Sequence, residues 1–237
     1  MNTTRIISID WDYFAQENPM ADFGHAETPF FINDMWAIRA KAAKASGTSL
    51  EQMVPLAGDP LGLGAQLVQD HIAITFDLFI AESHASILSV LDKRTKGPLE
   101  IMNLDAHHDI CYGQKRGKPG CDNWVSYTLE KRQVKRFVQV YPEWRNNARY
   151  KVDKLNDEAM KAIAKTPYYR RRYGLPDPRS INGNKTLLSD RATLVFVCRS
   201  GAWVPPAYDK LFVEFVRAIA FKSEINVMDP REIKEDW

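Results

Sequence analysis

The chain has 237 residues, 45% of them hydrophobic and 26% charged, which excludes wholesale disorder and fits one large domain or two small ones at roughly 150 residues each. Lys+Arg 32 against Asp+Glu 30 leaves a formal charge of +2, too even to announce a nucleic-acid or membrane partner. Three scattered cysteines without Cys-x-x-Cys spacing exclude a disulfide framework and a zinc knuckle.

No apolar run approaches the roughly 18 residues of a membrane span. At the N-terminus Arg5 is followed by Ile6, Ile7, Ser8 and Ile9 before Asp10 intervenes, too short a stretch for a secretory signal. A cytoplasmic location and a small-molecule substrate are therefore expected.

In chain order, residues 5–10 (RIISID) predict the first strand. Asn33 predicts a helix cap before residues 34–45, an alanine-rich run with Lys and Arg near its end. A second strand spans 75–81 (TFDLFIA) and runs into Glu82-Ser83-His84. Residues 85–92 put Ile87, Leu88 and Leu91 on one helical stripe. The third strand is 99–104 (LEIMNL), and Asp122 predicts a cap for a helix through 130. A strand at 136–141, a helix from Asn156 through 165, a strand at 193–198, an amphipathic helix at 208–221 and a strand at 224–228 complete the pattern. Residues 165–185, rich in Pro, Gly and Arg, read as an irregular basic insertion.

Near-continuously apolar strands alternating with helices predict a single α/β domain over 1–237, a three-layer α/β/α fold with a mostly parallel sheet. Ligands of such sheets bind beyond the carboxyl ends of the strands, so the residues following each strand carry the search for chemistry.

Three strand ends stand out. After the third strand, Asp105, His107 and Asp109 alternate and project to one side. Two carboxylates and an imidazole suit manganese, iron or zinc and offer too few oxygens for a calcium cage. After the first strand, Asp10 and Asp12 share a face, and burying both needs a cation or a shared proton. After the second strand comes His84, with Glu82 as candidate general base or orienting partner. Together they suit a centre in which two ions sit about 3.5–4 Å apart and share a water.

Further along, Asn123 opens a helix whose free N–H groups can face a substrate. Arg199, Ser200 and Trp203 follow the strand at 193–198 and are candidate substrate contacts, Arg199 through a bidentate grip on a carboxylate or phosphate. The alternative for Arg199 and Trp203 is a purely structural turn.

Asp105-Ala106-His107-His108-Asp109 resembles the Asp-x-His-x-Asp metal motif of the arginase–deacetylase (ureohydrolase) superfamily, and Asp10-Trp11-Asp12 resembles its Asp-x-Asp pair. With Glu82-Ser83-His84, Cys121-Asp122-Asn123-Trp124 and Arg199 through Pro206, the set is similar to an arginase-like family found in bacteria, viruses and eukaryotes. The resemblance implies an arginase-like fold and two metal ions, most simply two Mn2+, with Zn2+ or Fe2+ as alternatives. It implies bridging by Asp10 and Asp105, with Asp109 and His84 on one ion and His107 and Asp12 on the other. The chain departs from the arginase pattern in order, since its Asp-x-Asp pair opens the sequence, and it has no counterpart of the His and Glu that arginases place around the guanidinium.

The implied activity is hydrolysis of a C–N bond of amide or amidine type. Two alternatives remain: a haloacid-dehalogenase-like or two-metal phosphatase built on Asp10 and Asp12, and a non-catalytic metal-binding protein.

Overall fold

The computed structural model describes residues 2–16, 29–110, 119–147, 161, 188–220 and 223–228. Six strands, β1 (Thr4–Asp10), β2 (Ile72–Ala81), β3 (Leu99–Leu104), β4 (Val134–Val140), β5 (Ala192–Cys198) and β6 (Ile225–Met228), form one sheet in the order β4-β3-β1-β5-β2-β6. Every neighbouring pair is parallel. All six expected strands are present. The largest difference is at β2, which begins at Ile72, before the expected 75. Its register against β5 shifts between Ile72 and Asp77, and Ile74 is 80% exposed there, so the apolar pattern breaks although the strand does not.

Helices α1 (Pro29–Ala45), α2 (Leu50–Met53), α3 (Pro60–Asp70), α4 (Ile87–Arg94), α5 (Trp124–Lys131) and α6 (Asp209–Ile219) accompany the sheet. On one face, Leu67 of α3 and Phe212, Phe215 and Ile219 of α6 pack with Ile7, Ile9, Val195 and Val197. On the other, Ile87, Val90 and Leu91 of α4 and Val125 and Leu129 of α5 pack with Ile6, Ile101, Phe137 and Phe196. The result is the expected three-layer α/β/α architecture, each buried large apolar side chain contributing about 1.5–3 kcal/mol. Among the described residues no helix is long and apolar enough to cross a membrane.

Local chemistry explains the helix differences. Backbone helix α1 begins at Pro29, a residue suited to a first helical turn, so Asn33 lies inside the helix and not at its cap. Asp59 caps α3, accepting from Gly62 N–H, with Pro60 in the first turn; this Asp-Pro start was not anticipated, because Gly62 and Gly64 weaken the helical pattern. The same holds for the Ser49/Gln52 capping box of α2. The expected helix at 156–165 and the basic insertion at 165–185 lie outside the described residues.

Candidate metal centre

Strand alternation selects what faces the centre. On β1, Ile7 and Ile9 point to the α3/α6 side, which sends Ser8 and Asp10 to the α4/α5 side. In register, Ser8 lies beside Phe196 of β5 and Asn103 of β3, and Asn103 beside Gln139 of β4. Ser8, Asn103 and Gln139 thus make a polar row across the apolar sheet, all three fully buried. Such a row is costly unless its groups are paired, and apart from Asn103 Oδ1 its side-chain polar atoms are. Asn103 Nδ2 donates to Gln139 Oε1 at 3.0 Å and to Asp105 Oδ2 at 3.2 Å. Gln139 Nε2 donates to the carbonyls of Asp105 and His107 at 3.3 and 2.9 Å. The row is a platform that fixes the loop after β3.

Within two residues of this row the strands end. Asp10 Oδ1 accepts from Asp12 N–H at 3.0 Å and caps the short 3-10 turn Trp11–Phe14. Asp105 Oδ1 accepts from His107 N–H at 2.7 Å, and Asp12 Oδ1 from Ala106 N–H at 3.3 Å. Trp11 holds the first turn down by packing its ring 5.0–5.3 Å from those of Phe14, Phe212 and Phe215. Asp109 (φ 46°) and Ser200 (φ 52°) are the non-glycine residues with positive φ among those described. Both sit after strand ends on this rim, where backbone strain is often stored at functional sites.

These turns bring five of the six expected ligands into two groups able to hold metal ions, Asp10/His84/Asp105 and Asp12/Asp105/His107, and place the sixth, Asp109, against His84. Within each, one ligand atom per residue lies within 4.8 Å of the others. His84 Nδ1 stands 3.0 Å from Asp10 Oδ2, and 3.2 Å from both Asp105 Oδ2 and Asp109 Oδ2. His107 Nδ1 stands 2.8 Å from Asp12 Oδ2 and 3.7 Å from Asp105 Oδ1. Asp105 therefore presents one oxygen to each group. His84 Nδ1 is buried and faces three carboxylates, yet makes no well-aligned hydrogen bond to any of them. That is the donor set of a divalent cation: carboxylates and neutral imidazole nitrogens converging where a positive charge satisfies them all.

The electrostatics agree. Burial, then repulsion from Asp12, pushes the Asp10 carboxyl up to about 7. Burial, then Asp109 and Asp12, pushes Asp105 up to about 7. Burial also raises Asp109. It disfavours a charged His84, but Asp10, Asp105 and Asp109 outweigh it and hold the imidazole well above its ordinary value. Asp12 goes the other way: despite burial, His107 and Arg145 keep it below the usual carboxylate range. Without a cation, Asp10, Asp105 and Asp109 hold their protons more tightly than ordinary carboxyl groups do.

Several supporting residues were not foreseen. Ser8 Oγ lies 2.7 Å from His84 Nε2, so when Nδ1 serves as ligand, Nε2–H donates to the serine. Phe196 stacks under the same ring at 5.8 Å and 7°. Trp124, not the expected Asn123, reaches the centre: its indole N–H donates to Asp109 Oδ2 at 2.7 Å and its ring lies 4.8 Å from His84. Asn123 Oδ1 instead accepts from Gly120 N–H at 2.9 Å, closing the turn before α5. Buried Arg145 donates from Nε to Ala106 O at 2.8 Å. A serine inside an apolar strand and an arginine far along the chain give no spacing signal; the Trp124 position was legible only as part of the Cys-Asp-Asn-Trp motif.

The other candidates divide. Trp203 borders the centre, its ring 5.5 Å from that of His107, the ligand with the most exposed side chain (19%). Arg199 does not face a substrate space: its guanidinium is buried against Asp209 and donates to Val204 O and Pro205 O at 3.4 and 2.9 Å. It braces the rim from behind, and its expected grip on a ligand anion is corrected accordingly. Ser200 works through its backbone, donating to Glu82 O and accepting from Trp203 and Val204 N–H. Glu82 belongs to neither metal group. Its carboxylate is pressed against Gly201, where an added Cβ would meet Oε1 at 1.7 Å, so a larger residue at 201 would have to displace the Glu82 side chain. Trp36 Nε1 donates to Gly201 O at 2.6 Å and ties α1 to this turn.

In comparisons with family models, curated proteins and solved structures, nothing matches the chain.

Ser8 supplies a direct check on the ligand geometry. Ser8→Ala removes the acceptor that orients His84 and should weaken Mn2+ binding roughly 10- to 100-fold, as loss of such partners does. Titration calorimetry reads it; affinity equal to that of the unaltered protein would show that the serine does not orient the ligand.

Proposed function

We propose that the chain is a metal-dependent hydrolase of arginase-like fold that cleaves a C–N bond of amide or amidine type at a centre of two divalent ions, most simply manganese. The observation that carries this reading is Asp105, which offers one oxygen to each of two ligand groups, one with Asp10 and His84, where Asp109 also stands 3.2 Å from His84 Nδ1, and the other with Asp12 and His107. Two bound cations would bring the pKa of a shared water to near 7 and polarise the bond under attack.

The protein's own groups would do the rest. Asn103 and Gln139 keep the Asp105 loop from relaxing, Ser8 and Trp124 aim His84 and Asp109, and Trp203 walls the side on which His107 meets solvent. The neighbouring positions of β1 and β3 in the sheet support the equivalence of the Asp10/Asp12 pair with the Asp-x-Asp pair of arginases despite the altered chain order. The phosphatase alternative needs Asp10 free as a nucleophile. Its two oxygens instead face His84 and the Asp12 amide, which favours the ligand role.

The test is turnover by Mn2+-, Zn2+- and Fe2+-loaded protein against amides, amidines and phosphate monoesters. The proposal expects metal-dependent release of ammonia or amine, lost in Asp109→Asn. Magnesium-dependent phosphate release abolished by Asp10→Asn would transfer the assignment to a phosphatase. Two tightly held ions with no turnover of any class would leave a metal-binding protein.

A further inference from the structure

A second concavity lies beside the metal-binding loops. A cavity of about 500 Å³ is lined by Tyr13, Phe14, Asp59, Leu63, Glu143 and Trp144, among others, a size typical of small-molecule sites. Phe14 and Trp144 are buried, whereas Asp59 and Glu143 are exposed, so aromatic surface forms the floor and carboxylates the rim. Among the described residues no lysine or arginine lines it. Arg145, next in the chain, packs its guanidinium 4.7 Å from the Trp144 ring but turns Nε to Ala106 O, and its charge acts on Asp12.

We infer that this cavity binds an organic ammonium ion, the apolar body against Phe14, Tyr13 and Trp144 and the cationic head at Asp59 and Glu143. The rings present electron-rich faces, which attract cations and repel anions. The Trp144 N–H is already given to Tyr13 O at 2.9 Å, so that indole offers its ring and not its donor. Asp59 is held in place because its Oδ1 accepts from Gly62 N–H at 3.0 Å. A Cβ at residue 62 would sit 2.3 Å from Asp59 Oδ2 and would have to push that carboxylate aside. A carboxylate or phosphate ligand would meet two like charges and, among the described residues, no compensating cation.

The site is separate from the metal ligands and its assignment does not depend on the hydrolase reading. It adjoins them through the chain, since Tyr13 follows Asp12 and Trp144 precedes Arg145. The test uses the full chain stripped of metal, titrated calorimetrically with 2-phenylethylamine, 2-phenylethanol and 3-phenylpropionate, which share a body and differ in head group. The amine should bind and the alcohol and acid should bind at least about tenfold more weakly, because only the amine gains the ring-face and carboxylate attractions. Asp59→Asn keeps a good helix cap and Glu143→Gln keeps the shape; each should weaken the amine about fivefold, the size of one exposed ion pair. Unchanged melting temperatures would show that both variants are folded. Equal binding of amine and alcohol, amine binding indifferent to both variants, or no amine binding would overturn the assignment. Because no metal is present and no turnover is measured, either result leaves the hydrolase reading to its own test.

Discussion

Asp105→Asn should abolish binding at both ion positions at once, a loss beyond the roughly 100-fold seen when merely an orienting partner is removed. The reason is geometric: Asp105 Oδ2 belongs to the His84 group and Oδ1 to the His107 group, so one neutral amide disables both. The fold should survive. The Asn side-chain oxygen can still accept from His107 N–H, as Asp105 Oδ1 does at 2.7 Å, and removing a buried charge crowded by Asp109 and Asp12 relieves repulsion. His107→Asn, by contrast, should leave the Asp10/His84/Asp105/Asp109 group able to hold one ion. Calorimetric titration with Mn2+, beside circular dichroism to confirm folding, reads both outcomes. A folded Asp105→Asn variant that still binds an ion with undiminished affinity would show that Asp105 is not shared.

The second large effect is on stability, and its sign follows from the proton inventory. Asp10 and Asp105 hold protons up to about pH 7 in the folded chain but release them near 3.8 when unfolded. Between those values the folded state binds more protons, so metal-free stability falls as pH rises from about 4 to 7. His84, raised well above 6.5, adds a contribution that is complete below about 6.5 and is lost as pH climbs through its folded value. Asp12, lowered below 3.8, acts oppositely and only in stronger acid. A bound cation replaces these protons. Melting temperature in chelator should therefore decline from about pH 5 to pH 8, and added Mn2+ should raise it by more at the upper end. At a free concentration about 1,000 times the dissociation constant the gain is about 4 kcal/mol, or roughly 10 °C for a chain of this size. A chelator-treated protein that becomes more stable over this range, or a metal effect independent of pH, would rule out this proton inventory.

The sheet was legible chiefly from β1, β3 and β5, which are buried and apolar nearly throughout, whereas β2, β4 and β6 carry exposed positions and blur the pattern. Their ends were legible because carboxylates and imidazoles directly after apolar runs have no cheap burial without a counter-charge; hence Asp10, Asp12, His84, Asp105, His107 and Asp109 were found from spacing and residue type. What supports them was not. Ser8, Asn103 and Gln139 form a row by lateral register, a property of strand order that no single stretch of sequence contains. Arg199 looked like an anion grip because arginine after a strand usually can be one; Asp209, ten residues on at the start of α6, takes its charge. Helix α3 was missed because glycines diluted its pattern, although Asp59-Pro60 announces it.

The most direct measurement is anomalous X-ray diffraction from crystals soaked in Mn2+. The arrangement of ligands calls for two manganese peaks about 3.5–4 Å apart, one against His84 Nδ1 and one against His107 Nδ1, with Asp105 contacting both. Crystals saturated with Mn2+ in which these side chains keep their direct imidazole–carboxylate contacts and no peak lies among them would contradict the metal centre outright.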